Sequence, residues 1–227
     1  MTEEEWLTNV ESTAKLIRPA LLPPLPMFKS SARKWRLLAC GVCRNLAGFV
    51  NQYKYPAALE IAELYADNGN LSLGLIRACR DLESIQREIE EPTENYVQTK
   101  TTIAVTLGKH AVWENGPQYF GLALEVMERH IDREYGKTWM ESLVLTVTRC
   151  VFGNPFRPVA IEPFWLTPTV ISLATGIYAD RAFDRMPILA DALQDAGCGH
   201  ADMLAHCRGD GPHARGCWVV DLFLGKA

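Results

Sequence analysis

Thiols and imidazoles crowd the C-terminal stretch of this chain: Cys198, His200, His206, Cys207, His213 and Cys217 precede an apolar run from Trp218 to Leu224. A second pair, Cys40-Gly-Val-Cys43, lies far upstream. Cys40 and Cys43 are three residues apart on an expected helix, so their thiols project from one face. His213 and Cys217 are four apart and would also share a helical face. Three thiolates and an imidazole make a four-coordinate shell of the kind structural zinc takes. Such a site would tie the tail to the body of the protein. The expected metal ligands are therefore Cys40, Cys43, His213 and Cys217, with zinc as the candidate ion. The competing reading is packing, because a free cysteine behaves as a small hydrophobe on a buried helix face. Cys79 and Cys150 fall within apolar helical patterns and are expected in the core.

The same tail offers groups for thiol chemistry. His206 and Cys207 adjoin Asp210, His213 and Asp221, which together could supply a nucleophile and a base. Neighbours on a helix point about 100° apart, so His206 is badly placed to activate Cys207. His213 would have to fold back across the glycine turn. No Gly-x-Ser-x-Gly elbow, phosphate-binding glycine loop or His-Glu-x-x-His pattern is present. Histidines in such a turn serve equally well as helix caps or donors to carbonyls.

The bulk of the chain sets bounds on these readings. Its 227 residues are 48% hydrophobic and 22% charged, enough to bury a core and too apolar for a disordered chain. A formal net charge of −4 excludes a strong whole-domain field for nucleic acid or acidic membrane. Met1-Thr-Glu-Glu-Glu5 is acidic where an export signal would be basic, and no apolar run approaches the ~20 residues of a membrane span. The expected location is the reducing cytoplasm, with the seven cysteines free or metal-bound.

Periodicity points to a mainly α fold, a multi-helical orthogonal bundle with a C-terminal helical subdomain. A capping box at Thr2 and Glu5 opens a helix over about 2–17, which Pro19 and the Leu22-Pro-Pro-Leu-Pro26 connector end. Trp35, Leu38, Val42, Leu46 and Phe49 set the buried stripe of a helix at about 32–51, with Lys34, Arg36 and Arg44 off it. Pro56 fits the first turn of a third helix with Ala58, Ile61, Ala62 and Tyr65 inward, and Gly69 suits its left-handed end. A fourth helix follows at about 71–90. The stretch 94–113 is rich in β-branched residues but lacks polar alternation, so helix is favoured over strand. Helices are expected at about 117–134 and 137–151, before the Gly153-Asn-Pro-Phe-Arg-Pro158 loop. Thr167 and Pro168 open a helix to about Tyr178. Asp184 is expected to cap the next, which Gly197 ends. A short helix carries Met203, Leu204 and His206, and the chain closes with a helix, or a strand, over about 213–224. The division expected is 1–153, an N-terminal bundle, and 154–227, a helical module packed on it.

The final third contains Asn154-Pro-Phe-Arg-Pro-Val159, Trp165-Leu-Thr-Pro-Thr169, Ile188-Leu-Ala-Asp-Ala-Leu193, Ala196-Gly-Cys198, His206-Cys-Arg208 and His213-Ala-Arg-Gly-Cys-Trp-Val-Val-Asp221. On these residues it is similar to a module of planctomycete bacteria. Glu5-Trp-Leu7 and Arg33-Lys-Trp-Arg-Leu-Leu-Ala-Cys40 resemble a piece that often precedes it. That module recurs in many paralogous proteins, and the resemblance implies a lineage and no activity.

The function expected from these readings is a non-catalytic cytoplasmic protein-interaction or adaptor module with a structural zinc site. Its partner would be another protein, docked by aromatics drawn from Trp113, Tyr119, Phe120, Trp139, Phe164 and Trp165. The alternative is a DNA-binding regulator using the basic helix 32–51, around which Lys29, Arg33, Lys34, Arg36 and Arg44 would neutralise phosphates. Arg77, Arg80 and Arg87 add positive charge nearby, but Asp81, Glu83, Glu88, Glu90 and Glu91 interleave them. A thiol-dependent enzyme comes third. No membrane partner is expected.

Overall fold

The computed structural model describes residues 3–8, 32–50, 53–69, 72–89, 104–109, 111–112 and 137–226, and among them the fold is mainly α and multi-helical, with no strand. The helices are α1 (Glu3–Thr8), α2 (Ala32–Leu46), α3 (Lys54–Asn68), α4 (Ser72–Ile89), α5 (Lys137–Phe152), α6 (Pro168–Asp180), α7 (Met186–Asp195), α8 (Ala201–Arg208) and α9 (Trp218–Leu224). Residues 104–109 are helical, in keeping with the preference for helix over strand there. The Thr2 cap, the proline connector, Lys29 and the helix at 117–134 lie outside the described residues. The chain divides into two compact units, 1–145 and 146–227, so the division falls within α5 and not at the Gly153 loop.

In the first unit α2 packs on α3 and α3 on α4. Leu38, Val42 and Leu46 are buried as their spacing predicts, but so are Lys34 and Arg36. Periodicity alone had placed these two off the stripe. Arg36 can be buried because its Nη1 donates to the carbonyls of Ala111 and Val112, at 2.9 and 3.2 Å, and its guanidinium lies over the Tyr65 ring. On α3 the inward face is Tyr55, Ala58, Leu59, Ala62 and Glu63. Ile61 and Tyr65, expected inward, are only partly buried. The face rotates because Glu63, 1% exposed, takes two charge-assisted hydrogen bonds from Arg44, at 2.6 and 3.0 Å. Gly69 ends α3 at φ 67°, the left-handed conformation glycine adopts without steric cost.

The second unit is built around one core, drawn from Val170, Ala174 and Ile177 of α6, Met186, Leu189, Ala190 and Leu193 of α7, Met203 of α8, and Val219, Val220 and Phe223 of α9. Thr167 caps α6, its Oγ1 accepting from the Val170 amide at 3.3 Å, with Pro168 at the first helical position. Asp184 does not cap α7. A short 3-10 turn, Phe183–Arg185, intervenes and places Arg185 at the cap position without a side-chain hydrogen bond. Gly197, at φ 84°, ends α7 by letting the Cys198 amide reach back to the Leu193 carbonyl at 2.9 Å. His200 caps α8, its Nδ1 accepting from the Met203 amide at 3.3 Å.

Candidate metal centre

The final helix begins at Trp218, later than the 213 expected, so His213 and Cys217 are not paired across a helical turn. His213 immediately precedes a tight turn, Ala214 to Cys217, and Cys217 closes it. Cys217 N donates to Ala214 O at 2.9 Å, and Gly216, at φ 90°, takes the third position, where a turn of this type needs a positive φ. Arg215 anchors the turn from its middle. Its Nε and Nη2 donate to the carbonyls of Tyr178 and Ala179, each at 3.3 Å, so it caps the C-terminal end of α6 while lying over the Tyr178 ring. One residue type therefore fastens the turn to the helix dipole that best accepts a cation.

This turn meets two other elements. His206 comes from the last turn of α8, and Cys150 from the last turn of α5, just before Gly153 breaks that helix at φ 66°. One ligand atom from each of Cys150, His206, His213 and Cys217 lies within 4.8 Å of all the others, forming a Cys2His2 group that could hold a metal ion. His206 Nε2 is 3.3 Å from the Cys217 sulfur, and His213 Nδ1 is 3.7 Å from the Cys150 sulfur. Tetrahedral zinc, with bonds of about 2.0–2.3 Å, requires donor separations of roughly 3.3–3.8 Å. Those two separations already match the edges of such a shell.

The surroundings hold the rings in place. His206 and His213 meet edge to face at 4.9 Å, with Trp218 5.7 Å from His206 and Phe183 6.3 Å from His213. A Cβ on Gly153 would approach the Trp218 ring to 3.0 Å, so a bare backbone is needed there. A Cβ on Gly211 would come within 2.9 Å of the His213 amide nitrogen. Both sulfurs are buried and both rings half-buried. His213 Nε2, on the far side of the ring from the Cys150 sulfur, is buried without a hydrogen-bond partner among the described residues, at a cost of about 1–3 kcal/mol.

Electrostatics favour the ligand form. Burial by itself would push the Cys217 thiol up, but hydrogen bonding from Cys150, the charge of His206 and hydrogen bonds from His206 and His213 outweigh it, holding Cys217 well below the ordinary thiol range. Cys207 behaves oppositely: burial and the neighbouring Cys217 and Cys198 sulfurs push it far up. A fully buried neutral thiol is a poor nucleophile.

Of the four ligands expected from sequence, the structure brings His213 and Cys217 into the group. Cys40 and Cys43 belong to the other unit, on α2, where both are wholly buried. Burial, with Glu63, raises the Cys40 thiol, and burial pushes Cys43 up to about 12. These are the properties of packed neutral thiols. Cys150 and His206 complete the group instead. Cys150 is also part of the hydrophobic core, as its apolar setting implies, and nothing in its local spacing marks it as a ligand. His206 carried a signal, its place in the crowded tail, but that signal fitted a cap or a base equally well. No family model, curated protein or solved structure matches the chain.

Proposed function

We propose that residues 146–227 form a non-catalytic interaction module stabilised by zinc, with Cys150, His206, His213 and Cys217 as its ligands. The observation that carries this reading is the convergence of two buried thiols and two half-buried imidazoles from α5, α8 and the turn before α9. Soft sulfur with imidazole nitrogen favours zinc over the oxygen-seeking magnesium and calcium ions. Four protein donors leave no open position for water or substrate, which is the arrangement of structural sites. Zinc, when bound, supplies a cross-link among segments far apart in the chain. A reducing cytoplasm suits such thiols, and recurrence of the planctomycete-like module beside different neighbours suits an adaptor more than one fixed reaction.

The rival readings find less support. Among the cations expected to meet DNA, Arg33 pairs with Asp67 at 2.9 Å, Arg44 with Glu63 at 2.6 Å, and Arg36 is buried on backbone carbonyls. A helix whose charges are spent internally offers little to phosphates. Thiol catalysis at Cys207 is opposed by its burial, and His206 faces Cys217 instead.

Metal analysis of the full chain, purified without a histidine tag, tests the proposal. Stoichiometric zinc is expected, and cobalt substitution should give the visible and charge-transfer bands of a tetrahedral thiolate site. Cys150→Ala and His206→Ala should each lose the metal, whereas Cys40→Ala and Cys43→Ala should keep it. Substoichiometric metal in the unaltered protein, or full retention in Cys150→Ala, would overturn the assignment.

A further inference from the structure

Met186, Leu189, Ala190 and Leu193 of α7 face the core, while Ile188 lies on the opposite side. Ala192 of the same helix and Ala196 just beyond its end are half-buried and also pack against the core. A globular helix ordinarily has a polar back, which Ile188 interrupts. With Ala192 and Ala196 it forms one wall of an open-sided groove of ≈ 420 Å³, whose other wall is Thr167, Thr169 and the half-buried Leu173 at the start of α6. Ile188 is 53% exposed and Phe164 59% exposed, and Phe164 extends the apolar surface by packing beside Gly197.

Charge gives the groove a direction. Asp191 and Asp195 line it one helical turn apart. Asp191 shares Arg208, at 2.8 Å, with Gln194. Asp195 makes no ion pair with any described residue, and it is the last residue of α7, where the helix dipole adds negative potential. A carboxylate at that end works against its own helix, an arrangement more in keeping with recognition than with stability. The aromatic ring beside that end is also suited to a cation.

We infer that this groove docks a cationic amphipathic helix of a partner protein, its apolar residues lying between Leu173 and Ile188 and a lysine or arginine meeting Asp195. An open-sided groove encloses too little of a small molecule to hold it, whereas a helix can lay one face along it, presenting anchors one turn apart. The inference rests on reading residues 146–227 as an interaction module, and it specifies the partner's chemistry.

The probe is a fluorescent helical peptide of leucine and lysine, about 18 residues or five turns long, titrated onto the full-length protein, with a leucine–glutamate counterpart as control. Saturable binding of the lysine peptide is expected, with little binding of the glutamate peptide. Ile188→Asp should weaken the lysine peptide about 10-fold or more, as loss of a buried anchor does. Asp195→Lys should weaken it several-fold and strengthen the glutamate peptide. Both positions are exposed, and zinc content and helicity measured on the same samples report whether the module is intact. No saturable binding by zinc-loaded protein, or binding within about twofold of the unaltered protein in both variants, overturns the docking site while leaving the metal reading standing. Binding with this variant pattern in protein that holds no zinc would sustain the docking site and sink the metal.

Discussion

At the scale of single residues, the environment of each thiol decides its chemistry more than its exposure does. Cys217 and Cys43 are both wholly buried, yet one is driven towards thiolate and the other away from it. The difference is the company of imidazoles. Cys43 yields a prediction in pH. Its folded pKa, about 12, lies above its ordinary value of 9.0, so the unfolded chain loses this proton first. Stability is then full below pH ~9 and falls as pH rises towards ~12. Denaturation midpoints measured across that range should decline, and the decline should be shallower in Cys43→Ala. Gly211 yields a second. An added methyl at φ 79°, pressed on the His213 amide, must shift that ring. Gly211→Ala should weaken zinc retention about 10-fold or more in a chelator competition, comparable to the loss of a supporting contact behind a ligand. Unchanged retention would mean that His213 is not held by this turn.

At the scale of elements, the centre depends on how helices end. Cys150 and His206 occupy last turns, Cys217 a helix start, and His213 the turn between α8 and α9. Arg215 joins that turn to the end of α6 through two carbonyls. Arg215→Met retains much of the packing over Tyr178 but removes the donors and the charge. It should destabilise the second unit by about 2 kcal/mol, in the range for charge-assisted hydrogen bonds, and loosen the metal as well. Thr167→Ala should cost about 1 kcal/mol through loss of the α6 cap, with metal content unchanged, since Thr167 is no part of the centre. Thermal melts beside metal analysis separate these two outcomes.

At the scale of the whole molecule, residues 146–227 approach the size, roughly 70–80 residues, below which a hydrophobic core alone supplies only a few kcal/mol. Structural zinc contributes about 10–16 kcal/mol in small finger domains, so a metal here would dominate that margin. Chelation should therefore abolish hydrogen-exchange protection in α6 to α9 while α2 to α4 keep theirs, because the first unit holds none of the four ligands. Trp218, beside His206, should report the change by its fluorescence. Equal loss of protection in both units would contradict the assignment of the metal to the second alone.

Local signals determined much of this protein. Apolar periodicity established its helical class, and the Thr167-Pro168 start and the Gly69 and Gly197 ends were legible because caps and left-handed glycines act within a few residues. The crowded tail pointed to a metal through His213 and Cys217, both of which belong to the group. Tertiary structure alone chose their partners. Cys150 lies 63 residues from His213 along the chain, and spacing carries no information over that distance. The burial of Arg36 and Glu63 was equally hidden, since a charge enters a core only when a partner from another helix compensates it.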